Sequence, residues 1–354
     1  MADLQELLQH LVDVRGSDLH LKAGATPHVR VDGHLEATPY QPMEAPEVEA
    51  MAHELMPKPR AEEFAETGEA DFAHSVPGVG RFRVNVYRQR GSVGLVIRRV
   101  IPGIPTWDQL GLPPMVERLA TETRGLVVVT GPTASGKTTT VNAIVDQINQ
   151  ARPVHIVTIE DPIEFLHSDK QAIISQREVG TDTASYAEAM RRVARQGPDV
   201  LFVGEMVDVD TLAAALAVAE TGHLVLTTMR TTTVAETVAR LVDFFPPVYQ
   251  HQARLSLAAC LRAVIAQRLL ERADGRGRIA AVEVLVNTPK VFECIADPDR
   301  QVALERLIAE GEYHGMQTFD QALLALFKEG LVSFRDALAV ATQPEDLRFA
   351  MQQA

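Results

Sequence analysis

The spacing of apolar residues along this chain changes near residue 124. Residues 1–14 carry one apolar helical face, formed by Leu4, Leu7, Leu8, Leu11 and Val12. Short strand-like segments then follow at residues 18–21, 28–31, 70–76, 81–88 and 93–100, with a helix predicted at 45–56. Asp32-Gly33 is a two-residue hairpin signal after the second segment. Residues 1–100 are therefore predicted to form a small α+β domain with a largely antiparallel sheet.

From residue 124 the pattern becomes an alternation of strands and helices. Strands are predicted at 126–130, 154–159, 200–204, 224–229 and 279–286, and helices at 137–149, 184–195, 209–221, 232–243 and 250–272. Such alternation predicts an α/β domain, residues 124–287, whose mostly parallel sheet is covered by helices on both faces. The proline- and glycine-rich residues 101–123 are predicted to be a linker, and residues 288–354 a helical C-terminal region.

Composition narrows the class of protein. The hydrophobic content of 46% and charged content of 23% are ordinary for a globular chain, and the net charge of −13 argues against a broad nucleic-acid surface, so no nucleic-acid partner is expected. No apolar run reaches 18 residues, and the first residues lack the basic and apolar parts of a signal peptide, so a cytoplasmic protein is expected. The two cysteines lie far apart and form no C-x-x-C pair.

A phosphate-binding loop follows the first strand of the α/β domain. Residues 131–138 have the G-x-x-x-x-G-K-[ST] spacing of a P-loop, between an apolar strand and a predicted helix. Glycines let the backbone N–H groups surround phosphates, and the helix presents its positive end to the same anion. Lys137 is predicted to reach the β- and γ-phosphates and Thr138 to hold Mg²⁺. The predicted nucleotide-binding residues here are Gly131, Pro132, Thr133, Ala134, Ser135, Gly136, Lys137, Thr138 and Thr139.

Acidic residues follow two other predicted strands. Glu160, Asp161 and Glu164 come after the strand at 154–159, and Glu205 follows the strand at 200–204, where Gly204 occupies a position that holds Asp in many ATPases. A glutamate here can orient or deprotonate an attacking water, and Glu205 can coordinate Mg²⁺. An Asp-Pro turn with solvated acids and an exposed strand-end glutamate remain the structural alternatives. His223, before the strand at 224–229, is either catalytic or a structural hydrogen-bonding residue.

Arginines collect near the end of the first domain. Arg83, Arg88, Arg98 and Arg99 lie on the two predicted strands at 81–88 and 93–100. Taken locally, they are a solvated edge that discourages sheet pairing, or they are offered to a phosphate across an interface.

Taken together, the motifs resemble the PilT-type type IV pilus retraction ATPases of the secretion ATPase superfamily. The matching runs lie at 16–21, 80–85, 131–140, 158–165, 175–180, 204–206, 220–225 and 315–318, and the resemblance covers roughly residues 1–335. It implies an N-terminal PAS-like α+β domain joined to a RecA-like P-loop NTPase domain, in a hexameric ring that hydrolyses ATP with Mg²⁺ to power pilus retraction and twitching motility. The implied partners are other copies of the chain, an inner-membrane pilus platform protein and a paralogous motor ATPase, at the inner face of the cell membrane.

The resemblance also assigns roles to individual residues. Glu160 and Glu164 fall in the family's Asp box, Glu205 in its Walker B motif and His223 in its His box. On this basis Glu160 is the expected general base and Glu205 a metal ligand, although the general base stays open between these two. Arg83 and Arg98 match arginines that neutralise phosphate charge. With only two cysteines the chain cannot carry the four-cysteine zinc site of assembly-type relatives, which favours the retraction branch.

Several positions depart from the family's pattern. Arg230 replaces a His expected near the nucleotide, and Ala134 replaces a P-loop glycine. Val207, Gly197 and the run Lys290-Val291-Phe292 replace an Arg, an Asp and the A-I-R signature, respectively. Arg230 can supply positive charge to the γ-phosphate in place of the His. These departures leave open a second hypothesis, a catalytically weak ATP-binding accessory subunit of a pilus or secretion motor.

Overall fold

The computed structural model describes residues 3–31, 33–100, 103–297, 299–300 and 304–353. Its contacts divide the chain into two compact units. The first unit comprises Met1–Gly103 and Pro162–Leu166, and the second comprises Ile104–Asp161 and His167–Ala354. Asp32 of the predicted hairpin turn and the first two residues of the predicted linker, 101 and 102, lie outside the described residues.

The described residues of the first unit form three helices and one antiparallel sheet. The elements are α1 (Leu4–Asp13), β1 (Asp18–Lys22), β2 (His28–Val31), β3 (His34–Ala37), α2 (Ala45–Leu55), α3 (Lys58–Thr67), β4 (Glu69–Val76), β5 (Gly80–Gln89) and β6 (Ser92–Val100). The strand order is β3-β2-β1-β6-β5-β4. The predicted apolar face of α1 is confirmed, since its four leucines are buried. They pack with the inward-facing residues of the sheet in one core.

The second unit is built around a seven-stranded sheet. It begins with α4 (Trp107–Leu110), α5 (Pro114–Arg118), β7 (Gly125–Thr130), α6 (Lys137–Ala151), β8 (His155–Glu160), β9 (Ile173–Glu178), α7 (Tyr186–Val193) and β10 (Val200–Val203). It continues with α8 (Val209–Glu220), β11 (Leu224–Met229), α9 (Val234–Asp243), α10 (Pro247–Cys260), β12 (Leu261–Glu271) and β13 (Arg278–Val286). The C-terminal helices are α11 (Pro289–Ala296), α12 (Leu304–Ala309), α13 (Phe319–Lys328), α14 (Phe334–Val340) and α15 (Pro344–Gln352).

The strands of this sheet run in the order β13-β12-β7-β11-β10-β8-β9. All neighbours are parallel except β12 and β13, so the predicted parallel-rich sheet is confirmed. Two separate cores of buried residues pack against it. No helix among the described residues is long and apolar enough to cross a membrane.

The predicted helix at 250–272 is wrong over its second half. Helix α10 ends at Cys260, and Leu261–Glu271 forms β12, which lies between β7 and β13. A strand buried on both faces carries apolar residues at successive positions, so its period does not separate it from a buried helix. The β-branched pair Val264 and Ile265 favours the strand.

Strand β9 has no counterpart among the predicted elements. Its residues Ile173–Glu178 include a polar run, and most of them are partly exposed, because β9 forms one edge of the sheet. An edge strand needs no apolar run, which is why the spacing of apolar residues did not reveal it.

Candidate active site

The P-loop joins β7 to α6 at the carboxyl edge of the parallel sheet. Strand β7 is buried along its whole length, and α6 begins at Lys137 with Gly136 in a left-handed conformation before it. The Nζ of Lys137 donates a hydrogen bond of 2.8 Å to the carbonyl oxygen of Pro132, across the loop. The predicted phosphate-binding residues are therefore folded into one compact turn at a helix N-terminus.

Two glycines of the loop lie against β12 with no room for a side chain. A Cβ on Gly131 would lie 2.3 Å from the carbonyl oxygen of Gln267 and 2.6 Å from the Oγ of Ser135. A Cβ on Gly136 would lie 2.7 Å from the Nε2 of Gln267. The glycines of the motif are thus required here by contact with a neighbouring strand as well as by approach to phosphates.

Gln267 of β12 fixes the P-loop by hydrogen bonds. Its side chain is buried, its Nε2 donates to the carbonyl oxygen of Ser135 at 2.8 Å, and its Oε1 accepts from the Oγ1 of Thr140 at 2.8 Å. One amide therefore ties the P-loop and the first turn of α6 to β12. Gln267 is not among the predicted site residues, because its run is predicted to be a helix. The available signal was a polar residue inside an apolar run, since a buried amide needs hydrogen-bond partners.

The residues of the loop fit a nucleotide phosphate. The Oγ of Ser135 is buried and has no hydrogen-bond partner within the described part of the chain. It lies in the turn that α6 follows, so an anion's oxygens are suitable partners for it. Thr138 is the second residue of the same helix and is only partly buried, which leaves its hydroxyl available for a metal ligand role.

Glu160 and Glu205 lie at the same edge of the sheet as the P-loop. Strands β7, β11, β10 and β8 are successive parallel neighbours, and Thr130 of β7 lies opposite Met229 of β11. Glu160 ends β8, and Glu205 follows β10 by two residues. The carboxyl ends of these strands meet at one edge, which is where ligands bind in sheets of this kind.

Glu160 is almost completely buried, at 2% exposure. Its Oε1 accepts hydrogen bonds from the Oγ1 of Thr158 at 2.7 Å and from the Nε2 of Gln176 at 3.2 Å. The burial and hydrogen bonds of Glu160 exclude the alternative in which it is a solvated acid of an Asp-Pro turn. A carboxylate fixed by donors in a water-poor setting has the environment expected of a general base.

Tyr186 lies among the carboxylates of the site. Burial raises the pKa of its hydroxyl, and the negative charges of Asp161, Glu205 and Glu160 raise it further. Gly204 makes room for it, because a Cβ there would lie 2.9 Å from the Tyr186 Oη and 3.2 Å from the Cα of Glu160. This close packing explains why a glycine occupies a position that holds Asp in many other P-loop ATPases.

Arg230 is paired with Glu205. Its Nη2 lies 2.8 Å from Oε2 and its Nε 2.5 Å from Oε1 of that carboxylate, a two-pronged ion pair. The side chain of Arg230 is 70% exposed and that of Glu205 is 25% exposed. The predicted metal ligand thus has a guanidinium on both of its oxygens in this structure.

His223 lies at the opposite edge of the sheet. It precedes β11, and its carbonyl oxygen accepts a hydrogen bond from the N–H of Gly125, the first residue of β7. The six residues of β11 separate it from Arg230 by about 20 Å. The fold therefore does not bring His223 to the P-loop of its own chain, and the catalytic role of His223 stays a prediction.

The predicted phosphate-neutralising arginines belong to the first unit. Arg83 and Arg98 lie directly opposite each other on β5 and β6. Arg98 donates to the buried Asp18 at 2.8 Å, whereas Arg83 lies 3.9 Å from Asp71. Burial opposes ionisation of Asp18, but hydrogen bonds from Ser17 and Arg98 hold the pKa of Asp18 below its usual value.

Glu164 lies in the same unit as these arginines. It lines a pocket of about 320 Å³ together with Arg83, Arg98 and Arg99. Arg83 and Arg98 carry like charges directly opposite each other, which is unfavourable unless an anion lies between them. With three arginines and one glutamate, the pocket has the net positive charge that attracts an anion. The structure therefore groups Glu164 with the arginines, while Glu160 lies in the second unit.

Comparison with known proteins gives a family match over most of the chain. Residues 109–339 match the family described as type II/IV secretion system protein. The chain is 41% identical to the type IV pilus retraction ATPase PilT of Pseudomonas aeruginosa, over 97% of this chain and 99% of that protein. It is 38% identical to the type IV pilus ATPase PilU of the same organism, over 99% of this chain and 91% of that protein.

A solved structure agrees with both results. The crystal structure of the pilus retraction motor PilT with bound ADP matches this fold with a TM-score of 0.90 and 40% identity, covering 98% of this chain and 99% of that chain. The chain is a PilT-type member of the type II/IV secretion protein family. The predicted fold class and family resemblance are confirmed.

One departure within this PilT-type P-loop carries a conformational cost. Ala134 has a φ of +63°, in the left-handed region where a Cβ is unfavourable. We expect Ala134→Gly to raise the free energy of unfolding by about 1 kcal/mol, because glycine adopts this conformation without the steric penalty. Thermal denaturation of the two purified proteins checks this value. An unchanged or lower melting temperature for Ala134→Gly would contradict it.

The pairing of Arg230 with Glu205 predicts an effect on metal binding. Because the guanidinium covers both oxygens of a predicted Mg²⁺ ligand, Arg230→Gln is expected to lower the Mg²⁺ concentration needed for half-maximal ATP binding by about two- to fivefold, the range of a solvent-exposed ion pair. Titration of Mg²⁺ against a fluorescent ATP analogue measures it. A rise in the required Mg²⁺ concentration would contradict the prediction.

Proposed function

We propose that this chain hydrolyses ATP with Mg²⁺ and uses the energy to power retraction of type IV pili. The observation that carries the proposal is the meeting of the P-loop, buried Glu160 and Glu205 at one edge of the sheet. The similarity to PilT over 97% of the chain supports the assignment of this chemistry to pilus retraction.

Each residue of the site would have a distinct role. The loop amides, the N-terminus of α6 and Lys137 would bind the phosphates, and Thr138 with Glu205 would hold Mg²⁺. Bound Mg²⁺ neutralises charge on the phosphates. Glu160 would orient the attacking water and accept its proton, because its carboxylate is fixed by Thr158 and is shielded from solvent.

The first unit would supply positive charge in an assembled ring. We propose a hexamer in which Arg83 and Arg98 reach the phosphates of a bound nucleotide, where an arginine stabilises the charge of the transition state. Asp18 would hold Arg98 in position, since it accepts the 2.8 Å hydrogen bond. Glu164 lines the arginine pocket and would offset part of the positive charge of the arginines. His223 would act at a contact between neighbouring chains of the ring.

We propose that the ring is located at the cytoplasmic face of the cell membrane. There the ring would act on an inner-membrane pilus platform protein, by ordered opening and closing of its subunits. A PilU-like paralogue is a further proposed partner, because the chain is also 38% identical to PilU.

The alternative of a catalytically weak accessory subunit is not favoured. Lys137, Thr138 and Glu160 are all present, and the similarity to PilT extends over nearly the whole chain. Arg230, the departure that contacts Glu205, keeps a positive charge beside that carboxylate.

Complementation tests the link to pili. In Pseudomonas aeruginosa lacking PilT, expression of this chain is expected to restore fibre retraction and twitching, whereas Lys137→Ala is expected to leave fibres extended. Lys137→Ala is the suitable control because it removes the positive side chain proposed to bind the phosphates. Equal restoration by both proteins would contradict an ATP-driven role.

A further inference from the structure

A continuous chain of hydrogen bonds links the general base to the P-loop helix. The Oε1 of Glu160 accepts from the Nε2 of Gln176 at 3.2 Å, and the Oε1 of Gln176 accepts from the backbone N–H of His167 at 2.9 Å. The imidazole Nε2 of His167 lies 2.7 Å from the Oδ1 of Asn142, whose Nδ2 donates to the carbonyl oxygen of Thr138 at 2.8 Å. Glu160 and Thr138 are thus joined through three intermediate residues.

The backbone of His167 fixes the direction of the Gln176 amide. An amide can present its oxygen or its nitrogen to a neighbour, and only the nitrogen donates. Because the N–H of His167 requires the oxygen of Gln176, the Nε2 must face Glu160. The same register places Gln176 directly opposite Thr158, which donates to the same carboxylate oxygen.

His167 is held rigidly at its place in the chain. Its side chain is fully buried, and burial lowers its pKa to about 4, so the imidazole is neutral near neutral pH. Since the amide nitrogen of Asn142 is used by Thr138, its oxygen faces His167, and the imidazole Nε2 must donate. Asp146 lies 3.8 Å from the other ring nitrogen. His167 is also where the chain returns to the second unit after residues 162–166.

We infer that Gln176 is a positioning residue for hydrolysis. His167 orients its amide, and the amide in turn fixes the Glu160 carboxylate in one orientation relative to the P-loop. The inference rests on the proposed ATPase function and gives a role to Gln176, which lies in the matching run at 175–180 but has no role assigned by the resemblance. Two donors on one oxygen restrict rotation of the carboxylate, and small misplacements of a catalytic group cost much of its effect. Gln176 touches neither nucleotide nor metal in this account.

Gln176→Glu separates positioning from structural support. The variant keeps an acceptor for the N–H of His167 but places a second carboxylate oxygen where the Nε2 donor was, 3.2 Å from Glu160. We expect kcat to fall at least about tenfold, while KM and the affinity for a fluorescent ATP analogue stay within about twofold. Gln176→Leu, which loses both hydrogen bonds, is expected to lower kcat in the same direction. Gln196→Glu, the same change at an exposed position of this unit, is expected to match the wild type.

The outcomes separate this inference from the proposed function. A wild-type protein that turns over ATP, with Gln176→Glu within twofold of its kcat, would overturn the inference alone. Parallel losses of kcat, ATP affinity and melting temperature in both variants would also overturn it, because they indicate structural support only. A wild-type protein without turnover would overturn the proposed function, and the inference with it.

Discussion

Glu160→Gln is expected to lower ATP turnover by at least about 100-fold, while the affinity for ATP stays within about threefold. The substitution keeps the shape of a 2%-exposed side chain and the oxygen that accepts from Thr158 and Gln176, but it replaces the other carboxylate oxygen, the proposed proton acceptor, with an amide nitrogen. General bases contribute about 10²- to 10⁴-fold to catalysed rates, and Glu160 takes no part in holding the phosphates in this account. Steady-state kinetics and equilibrium binding of a fluorescent ATP analogue measure the two quantities.

The matched control for this prediction is Glu117→Gln, which makes the same change on the exposed surface of α5. Its kcat is expected to equal that of the wild type. Turnover by Glu160→Gln within tenfold of the wild type would contradict the assignment and point to Glu205 as the general base.

Gly131→Ala is expected to weaken ATP binding by about 100-fold or more. The new Cβ would lie 2.3 Å from a backbone oxygen of β12, a strand paired on both sides. Since that strand cannot move away, the P-loop must shift, and the amides and Lys137 would leave the phosphates. Losing several charge-assisted hydrogen bonds of about 1.5–3 kcal/mol each accounts for an effect of this size.

Gly275→Ala distinguishes the collision from the backbone preference of glycine. Gly275 also has a positive φ, +69°, but a Cβ there meets nothing within 4 Å. This control is expected to lower the melting temperature slightly and to leave ATP affinity unchanged. If Gly131→Ala bound ATP as tightly as Gly275→Ala does, the close packing of the P-loop on β12 would be refuted.

The parts of the site that were predictable from sequence are local in the chain. The P-loop lies within eight consecutive residues between a strand and a helix, and Glu160 directly ends a buried strand. Their chemistry depends on neighbours along the sequence, and the parallel sheet then brings them to one edge. The family resemblance added the expected roles of Arg83 and Arg98.

The parts that were not predictable depend on packing between distant segments. Gln267 meets the P-loop from a strand about 130 residues away, in a run whose spacing predicts a helix. A glycine is needed at 204 because the Tyr186 hydroxyl packs against it, and the spacing of residues along the sequence does not indicate this contact. The pairing of Arg230 with Glu205 likewise arises only where two neighbouring strands end together.

The most direct test of the central claim is steady-state ATP hydrolysis by the purified full chain with Mg²⁺, compared with Lys137→Ala. We expect continuous turnover by the wild type and a rate at least about 100-fold lower for the variant, because the proposed role of Lys137 is to neutralise charge on the transferred phosphate. Tight ATP binding by the wild type, with turnover no faster than that of Lys137→Ala, would contradict the motor function.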